Sequence, residues 1–399
     1  MRSVPGERSF RRILGKPSRR RQTPGVIPSP QPRSFVAYLV LLLAAPLPLG
    51  SNRDWAWPVL SAGVFLLAAQ VSLQHRPLSG PARAQLWLLV LLAGWMLIQI
   101  TGLPPVLAPV TLEAASTRDE LLKTLAFTGF AYLTLQLVRS GRAAAWVIRG
   151  LVAGAAVQVA VELYQLLELS VNSRSGRALA AFRPTGTYAS PNHLAGHLHQ
   201  VLGLALGLLL FEHAEHAGTS WRSQLLAFLT GPGLRLRLLV VLLASGLVMT
   251  LSRGGNAAFL SALGLATFVA ARARRRLSLP LVALALSVVC IDLALIGQHY
   301  GMERLQARLE RAELGSDFRL ALIPYHLEMI RDQVVTGSGA GTYEALFARY
   351  RDEFVPGRLT DAENDYVQFL VELGVIGALP LALFVVGAGR RQWRLLAGA

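Results

Sequence analysis

The segment DAENDYVQ, residues 361–368, places five polar side chains directly before the apolar run FLVELGVIGALPLALFVV. Carboxylates can accept protons and strong hydrogen bonds, and amides can both donate and accept. The five candidates are Asp361, Glu363, Asn364, Asp365 and Gln368. Because the run behind them is long enough to cross a membrane, we expect this polar group to lie at a membrane surface. The alternative is that the segment caps the helix behind it, since acidic residues are favourable at a helix N-terminus.

Four segments, the last of which also contains residues 361–365, combine turn-forming residues with an arginine. Arginine binds phosphate groups through two parallel hydrogen bonds, so a set of such arginines predicts an anionic phosphate ligand. Taken singly, each arginine can also be an interfacial side chain that extends to water. The segments are PLPLGSNRDWAW with Arg53, FRPTGTYASPNHLAGHLH with Arg183, TLSRGGNA with Arg253, and residues 298–365 with Arg319.

Histidines follow Arg183 at a spacing that zinc sites use. His193 and His197 stand at i and i+4 on one helix face, and either His199 or Glu363 would have to supply a third ligand. The sequence HLAGH lacks the glutamate of the HExxH motif. We therefore predict no metal site and no cofactor, with His193 as a substrate-contacting side chain. Asn192 either contacts the substrate as well or caps the helix that follows it.

Three glycines of GSGAGTYEALFARYR, namely Gly337, Gly339 and Gly341, resemble a loop that cradles a phosphate. No strand precedes them, and the spacing alone carries little information. We interpret the segment as a turn before a short helix over residues 342–351.

The composition is that of a membrane protein. Hydrophobic residues make up 53% of the 399 and charged residues only 16%, against about 25% in soluble domains. The single cysteine, Cys290, excludes an internal disulfide and a multi-cysteine metal site. The net charge of +16 is concentrated in short segments beside apolar runs. Anionic membrane lipids, rather than nucleic acid, are therefore the expected partner of these basic residues.

Ten apolar stretches have about the length of a transmembrane helix, and the short alternating segments of a membrane β-barrel have no support. The sequence therefore predicts an all-α, polytopic membrane protein with about ten transmembrane helices. The stretches are 34–50, 55–73, 84–102, 120–138, 143–167, 194–211, 235–251, 255–271, 278–297 and 366–388.

Basic residues predict which helix ends face the cytoplasm. Residues 1–33 hold nine Lys/Arg and one acid, so we expect a disordered basic cytoplasmic arm. Helices one to nine then fill residues 34–297, a large extracytoplasmic loop covers 298–365, the last helix covers 366–388, and 389–399 form a basic cytoplasmic tail. In this arrangement all four arginine-bearing segments lie outside, where an arginine is tolerated when it pairs or binds a ligand.

These segments resemble those of the O-antigen ligase family, which also includes O-antigen polymerases and protein O-oligosaccharyltransferases. The resemblance implies a metal-independent membrane glycosyltransferase with a GT-C-like helical fold in the bacterial inner membrane. Such enzymes take a glycan from an undecaprenyl-pyrophosphate carrier on the periplasmic face and pass it to an acceptor hydroxyl, typically on lipid A-core. The matching segments are PLPLGSNRDWAW, GTYASPNHLAGHL, LTLSRGG, GSGAGTYEALFARYR and AENDYVQFLVELGVIG.

One departure from the family pattern falls on the predicted base. The family loop commonly reads His-Asn-Asp-Tyr-Leu-Gln, with the histidine taken as catalytic, and Glu363 stands at that position here. The resemblance and the residue chemistry together predict Glu363 as the base, with His193 as its substitute. Asn364, Asp365 and Tyr366 would contact the substrate, as would Asn192. Only one predicted span follows the loop, where family members often have more.

Three other functions remain open at this level. A polymerase that joins repeat units belongs to the same superfamily, and the sequence does not separate it from a ligase. A transporter of a lipid-linked or anionic solute would place charged residues near the bilayer midplane, whereas here only Glu162 and Asp292 interrupt the apolar helix centres. A non-catalytic scaffold is the third alternative.

Overall fold

The computed structural model describes residues 32–74, 76–102, 110–172, 182–213, 234–274, 321–352 and 359–397. Within these ranges the chain forms helices joined by turns and contains no strand. The predicted all-α class is therefore confirmed for the described residues.

Helices lie over nine of the ten apolar stretches, while the stretch 278–297 falls outside the described residues. By length and composition α3, α5 and α11 can cross a membrane, and α1 and α2 are shorter apolar helices. The helices are α1 (Pro32–Ala44), α2 (Ala56–Ser72), α3 (Gly80–Thr101), α4 (Ala114–Leu137), α5 (Gly141–Asn172), α6 (Pro191–His213), α7 (Leu234–Met249), α8 (Arg253–Arg274), α9 (Ile323–Gln333), α10 (Tyr343–Tyr350) and α11 (Asp365–Ala397).

The chain divides into two compact units. The first unit contains α1, the start of α2, and α5 to α8, and the second contains the rest of α2, α3, α4 and α9 to α11. In the first unit α6 packs against α5, α7 and α8. Its buried Leu194, Leu198 and Leu202 repeat every fourth residue and form a core with Leu243 and Leu247 of α7, as expected for neighbouring helices that present apolar stripes to each other.

A buried carboxyl lies inside the first unit. Glu162 of α5 is fully buried, and neither of its carboxyl oxygens has a hydrogen-bond partner among the described residues. A Cβ atom at Gly246 of α7 would lie 2.7 Å from Oε2 of Glu162 and would also collide with Val159. A glycine is therefore required at 246 for α5 and α7 to pack this closely.

In the second unit α3 packs against both α4 and α11. Trp95 of α3 donates a hydrogen bond from Nε1 to the carbonyl oxygen of Leu373, at 2.8 Å. A second apolar core forms where α9, α10 and the first turns of α11 meet, and Met329, Tyr343 and Val371 are buried in it. These two sets of contacts fix the start of α11, where the polar segment 361–368 lies.

The helix α11 is broken at Gly374, whose φ of 62° is in the left-handed region that favours glycine. Segment 334–339 fills the break with backbone hydrogen bonds, so that polar groups released from the helical ladder are satisfied, as they must be in an apolar span. A Cβ atom at Gly374 would overlap the carbonyl oxygen of Val335. The four bonds run from Ser338 N to Val371 O, Gly339 N to Glu372 O, Val375 N to Val334 O and Ile376 N to Val335 O, at 3.0, 2.9, 2.8 and 3.4 Å.

Candidate active site

The loop that precedes α6 is held against α5 by two glutamines. Oε1 of Gln158 accepts a hydrogen bond from the backbone N–H of Thr187, at 2.9 Å. Oε1 of Gln165 accepts from the N–H groups of Thr185 and Gly186, at 3.0 and 3.2 Å. Because the two glutamines are seven residues apart, they lie on one face of α5. They fix the backbone of the loop that carries Arg183.

The turn after α1 packs against the same loop. The hydroxyl of Thr187 donates to the carbonyl oxygen of Pro46 at 2.7 Å. Gly50 has a φ of 68°, and a Cβ atom there would lie 2.8 Å from the ring of Tyr188. Both observations require glycine at this position. Arg53 is exposed at the end of the turn, immediately before α2.

Arg183 joins two of the segments that the sequence analysis singled out. Its Nε donates to the carbonyl oxygen of Thr250 at 3.0 Å, and its Nη2 donates to Oδ1 of Asn192 at 2.8 Å. Arg253 is the first residue of α8, three positions after Thr250. The structure thus brings together Arg183, Asn192 and the N-terminus of α8 within the first unit.

The break between α7 and α8 contains the N-cap of α8. Leu251 has a φ of 53°, and Ser252 then accepts a hydrogen bond on Oγ from the N–H of Gly255, at 3.3 Å. Serine is a favoured N-cap for this reason. A Cβ atom at Gly255 would lie 2.6 Å from that of Ala195, so the glycine lets α8 approach α6 closely. These contacts explain the LSRGG pattern locally.

Of the three histidines near the start of α6, His193 is exposed. Nε2 of His197 is buried without a hydrogen-bond partner in the described part of the chain, and its ring lies 5.6 Å from that of Tyr188. Nδ1 of His199 lies 3.1 Å from the carbonyl oxygen of Ala195. No three His, Cys, Asp or Glu side chains of the described ranges are grouped as metal ligands. His193 is the most exposed of these three side chains.

In the second unit, the glycine loop 337–342 offers no N–H group to an external phosphate. Each backbone N–H from Gly337 to Tyr343 donates to a protein acceptor. The carboxylate of Glu372 is the acceptor for two of these groups. Its Oε2 accepts a hydrogen bond from the N–H of Gly341 at 2.9 Å, and its Oε1 accepts one from the N–H of Tyr343 at 3.1 Å. The loop is therefore a structural clamp, and the predicted short helix follows it as α10.

The polar segment 361–368 both caps α11 and presents exposed side chains. Oδ1 of Asn364 accepts hydrogen bonds from the N–H groups of Tyr366 and Val367, at 3.1 and 3.3 Å. This is the geometry of an N-cap, so the capping alternative is correct for Asn364. Glu363 and Asp365 are exposed, as is 84% of Tyr366.

Glu363 adopts a strained backbone conformation, with a φ of 53°. Residues other than glycine, asparagine and aspartate rarely enter this region, which costs roughly 1–2 kcal/mol, and such strain is frequently found at functional sites. The residues on both sides of Glu363 are held by hydrogen bonds. Oε1 of Gln368 accepts the N–H of Ala362 at 3.2 Å, and the cap formed by Asn364 fixes the following residue.

The glycine loop held by Glu372 is connected through Gln368 to the strained Glu363. Nε2 of Gln368 donates to Oε1 of Glu372 at 3.2 Å, while the other end of the same amide holds Ala362. The buried Glu372 carboxylate therefore orients the amide that fixes the backbone before Glu363. Sequence analysis did not find this connection, nor the roles of Gln158 and Gln165. The sequence did contain a signal, because Gln158, Gln165 and Glu372 are each a polar residue inside an apolar run. Such a residue in a membrane helix usually hydrogen-bonds to another part of the protein.

His326 and Tyr343 form a buried hydrogen-bonded pair in the second unit. Nε2 of His326 lies 2.7 Å from the hydroxyl of Tyr343, and burial lowers the pKa of His326. Burial, and then the charges of Asp361 and Glu372, raise the pKa of Tyr343, which stays protonated and hydrogen-bonds to the neutral imidazole.

We expect the melting temperature of the purified protein to fall as the pH falls below about 6.5, the ordinary pKa of histidine. Below that pH the unfolded chain binds a proton that folded His326 resists, so folding loses up to about 1.4 kcal/mol per pH unit. His326→Gln keeps an acceptor for Tyr343 and should flatten the profile between pH 5 and 7. Identical slopes in the two proteins would contradict this assignment.

Part of the chain matches a known protein family. A family model described as O-antigen ligase matches residues 238–382. Over this segment the chain is similar to the O-antigen ligase family. The resemblance predicted from the motifs is thereby confirmed. Comparison with curated proteins gave no match.

The O-antigen ligase match covers the cap at Ser252, the glycine loop and the polar segment before α11. The segments around Arg53 and Arg183 precede it. Arg319 lies within the match but outside the described residues. Members of this family are glycosyltransferase-like enzymes, and the strained Glu363 lies within the matched segment.

Proposed function

We propose that this protein is a membrane glycosyltransferase of the O-antigen ligase type. It would move a glycan from an undecaprenyl-pyrophosphate carrier to an acceptor hydroxyl, on lipid A-core or on another glycan. The proposal rests mainly on Glu363, an exposed carboxylate with a positive φ inside the O-antigen ligase match, at the position where the family motif has its catalytic histidine.

In the proposed reaction Glu363 removes the proton of the acceptor hydroxyl, with His193 as its substitute. The acceptor oxygen attacks the anomeric carbon of the glycan and forms the new glycosidic bond. The bond between that carbon and the carrier pyrophosphate breaks, and the pyrophosphate leaves with the bonding electrons. No metal or other cofactor takes part in this scheme.

Four arginines would stabilise the charge that develops on the pyrophosphate, because fixed positive groups lower the free energy of such a transition state. Arg183 and Arg253 are the main candidates, together with Arg319, while Arg53 is less central. Asn192 and the segment from Asn364 to Tyr366 would bind sugar hydroxyls. The contact of Arg183 with Asn192 supports a shared role for these two.

The proposed setting is the bacterial inner membrane, with the basic N-terminus in the cytoplasm and the reaction on the periplasmic face. About ten spans in a GT-C-like arrangement would accommodate the lipid tail of the carrier and contact the surrounding lipids. The three long apolar helices support a membrane location, and the basic segments 1–33 and 271–276 support the orientation.

Removal of the guanidinium group at Arg183 should lower transfer. We expect Arg183→Ala to reduce the rate by about 100-fold, similar to the loss of one donor to a developing anion. Arg83→Ala, which removes an exposed arginine of α3, is the matched control and should transfer normally. The assay measures glycan transfer in proteoliposomes that contain a lipid-linked donor. Normal transfer by Arg183→Ala would remove Arg183 from the mechanism.

Deletion of the gene separates the two activities that the family includes. A ligase predicts that full-length glycan accumulates on its lipid carrier, because chains are completed but not passed on. A polymerase predicts accumulation of single repeat units instead. A normal glycan profile on both carrier and acceptor would contradict both activities.

A further inference from the structure

The helix α9 carries an apolar stripe that points away from the protein except at the half-buried Ile330, which packs against the core. Its buried face holds His326 and Met329. A second apolar row lies about 90° away around the helix and has the i, i+4, i+7, i+11 spacing of a single helical face. The row consists of Ile323, Leu327, Ile330 and Val334.

Most of this row is exposed. The exposed fraction of the side chain is 45% for Ile323, 63% for Leu327 and 44% for Val334. Glu328 and Asp332 occupy another side of the helix and are exposed as well. The helix thus has a buried face, a polar face and an exposed apolar face, which is the pattern of a helix that lies in a membrane interface.

The exposed row continues onto the surface of the membrane-length helix α11. The carbonyl oxygen of Val334 accepts a hydrogen bond from Val375 N at 2.8 Å, and the next residue bonds in the same way to Ile376. The side chains of Val375 and Ile376 are 51% and 43% exposed, and the apolar Leu379, one turn further on, is exposed too. The apolar face of α9 and the exposed face of α11 therefore form one surface.

The point at which α9 is attached to α11 determines how deep the C-terminal end of α9 lies in the membrane. After the break at Gly374, the apolar run from Val375 to Gly389 extends about 21 Å as a helix, which is most of the roughly 30 Å of the hydrocarbon core. Val375 and Ile376, which bond to the C-terminal end of α9, are the first residues of this run. The C-terminal end of α9 is thereby attached to α11 at the edge of the apolar layer.

From this geometry we propose that α9 is an interfacial helix whose row Ile323, Leu327, Ile330 and Val334 is covered by acyl chains of the leaflet at the N-terminal end of α11. Arg331, exposed beside the row, would extend to lipid head groups, and Glu328 and Asp332 would face water. The inference is independent of the proposed reaction. It would anchor the clamp and the segment 361–368 at the membrane surface.

Single-cysteine variants in lipid vesicles test this directly. Cys290 is the only cysteine, so Cys290→Ser provides the background for Leu327→Cys and for Glu328→Cys, a matched neighbour on the polar side. We expect a membrane-impermeant maleimide to modify position 327 at least tenfold more slowly than position 328. A bimane label at 327, attached before reconstitution, should be quenched by phospholipids that carry a doxyl group near the head of the acyl chain.

Each other outcome would overturn the proposal. Equal modification rates without lipid quenching would place the row in water. Slow modification at 327 without lipid quenching would mean that protein covers it, either a second copy or another part of this chain. Quenching only by a spin-labelled polyprenyl phosphate would assign the row to the carrier tail. Equal labelling of both positions in sodium dodecyl sulfate confirms that both cysteines react.

Discussion

Glu363→Gln is expected to lose glycan transfer by about two orders of magnitude or more while the protein remains folded. A general base contributes roughly 100- to 10,000-fold to a rate, and the amide cannot accept the proton. The side chain is exposed, so the substitution should change the melting temperature little. The measurement is the initial rate of transfer from a lipid-linked donor at saturating acceptor, together with a melting curve.

Glu363→Gly separates the catalytic role from the structural one. Glycine adopts the φ of 53° without strain, so this variant should be at least as stable as the natural protein, with a gain of about 1 kcal/mol. It should nevertheless transfer no faster than Glu363→Gln. If Glu363→Gly retained full transfer, the carboxylate would have no chemical role, whatever the melting curve showed.

Among the variants proposed for this protein, Glu372→Ala should lower the free energy of unfolding the most. The substitution leaves the part-buried N–H group of Gly341 and the buried N–H group of Tyr343 without their acceptor, and each unsatisfied buried donor costs about 1–3 kcal/mol. The amide of Gln368 also loses its acceptor. We expect a loss of roughly 3 kcal/mol or more, measured as a fall in the melting temperature.

Glu372→Gln is informative because it keeps the shape of the side chain. An amide has a single acceptor oxygen, so its NH₂ group must face one of the two N–H groups that the carboxylate accepts. This variant should therefore also be less stable than the natural protein. Glu328→Gln, at an exposed carboxyl of α9, is the matched control and should melt normally. A normal melting temperature for both Glu372 variants would show that the carboxylate does not hold the glycine loop.

Loss of the clamp should also impair transfer at temperatures where the protein stays folded. Gln368 would no longer be oriented by Glu372, and the backbone before Glu363 would be free to relax. This effect should lower the maximal rate more than the apparent affinity for the acceptor, because the base is misplaced while the binding residues remain.

The helices could be predicted from sequence because apolar runs of membrane length have few alternatives to a helix. Capping of α11 by the segment before it was foreseen only as the alternative, argued from its acidic residues, whereas the cap itself is Asn364. The clamp was not, because its partners are far apart in the chain: Glu372 binds a loop thirty residues earlier, and Gln99 of α3 donates to the carbonyl oxygens of Thr336 and Glu372. One sequence shows that a buried polar residue needs a partner but does not identify it.

In the candidate site, too, local features could be predicted from the sequence, whereas contacts between distant residues could not. Spacing and residue type singled out Arg183 and Asn192, and the structure joins them. The glycine loop resembled a phosphate cradle, but its N–H groups are all engaged within the protein. The positive φ of Glu363 was not predictable, because it results from the side chains of Gln368 and Asn364, whose contacts form only in the folded unit.

The most direct test of the central claim is transfer by Glu363→His, which restores the residue of the family motif. If Glu363 acts as the base, this variant should transfer glycan at a rate within about tenfold of the natural protein, whereas Glu363→Gln stays inactive. The acid limb of its rate-versus-pH profile should move to higher pH, because imidazole titrates above a carboxylic acid. If Glu363→His proved as inactive as Glu363→Gln while still folded, or if Glu363→Gln transferred normally, the assignment of the base would be wrong.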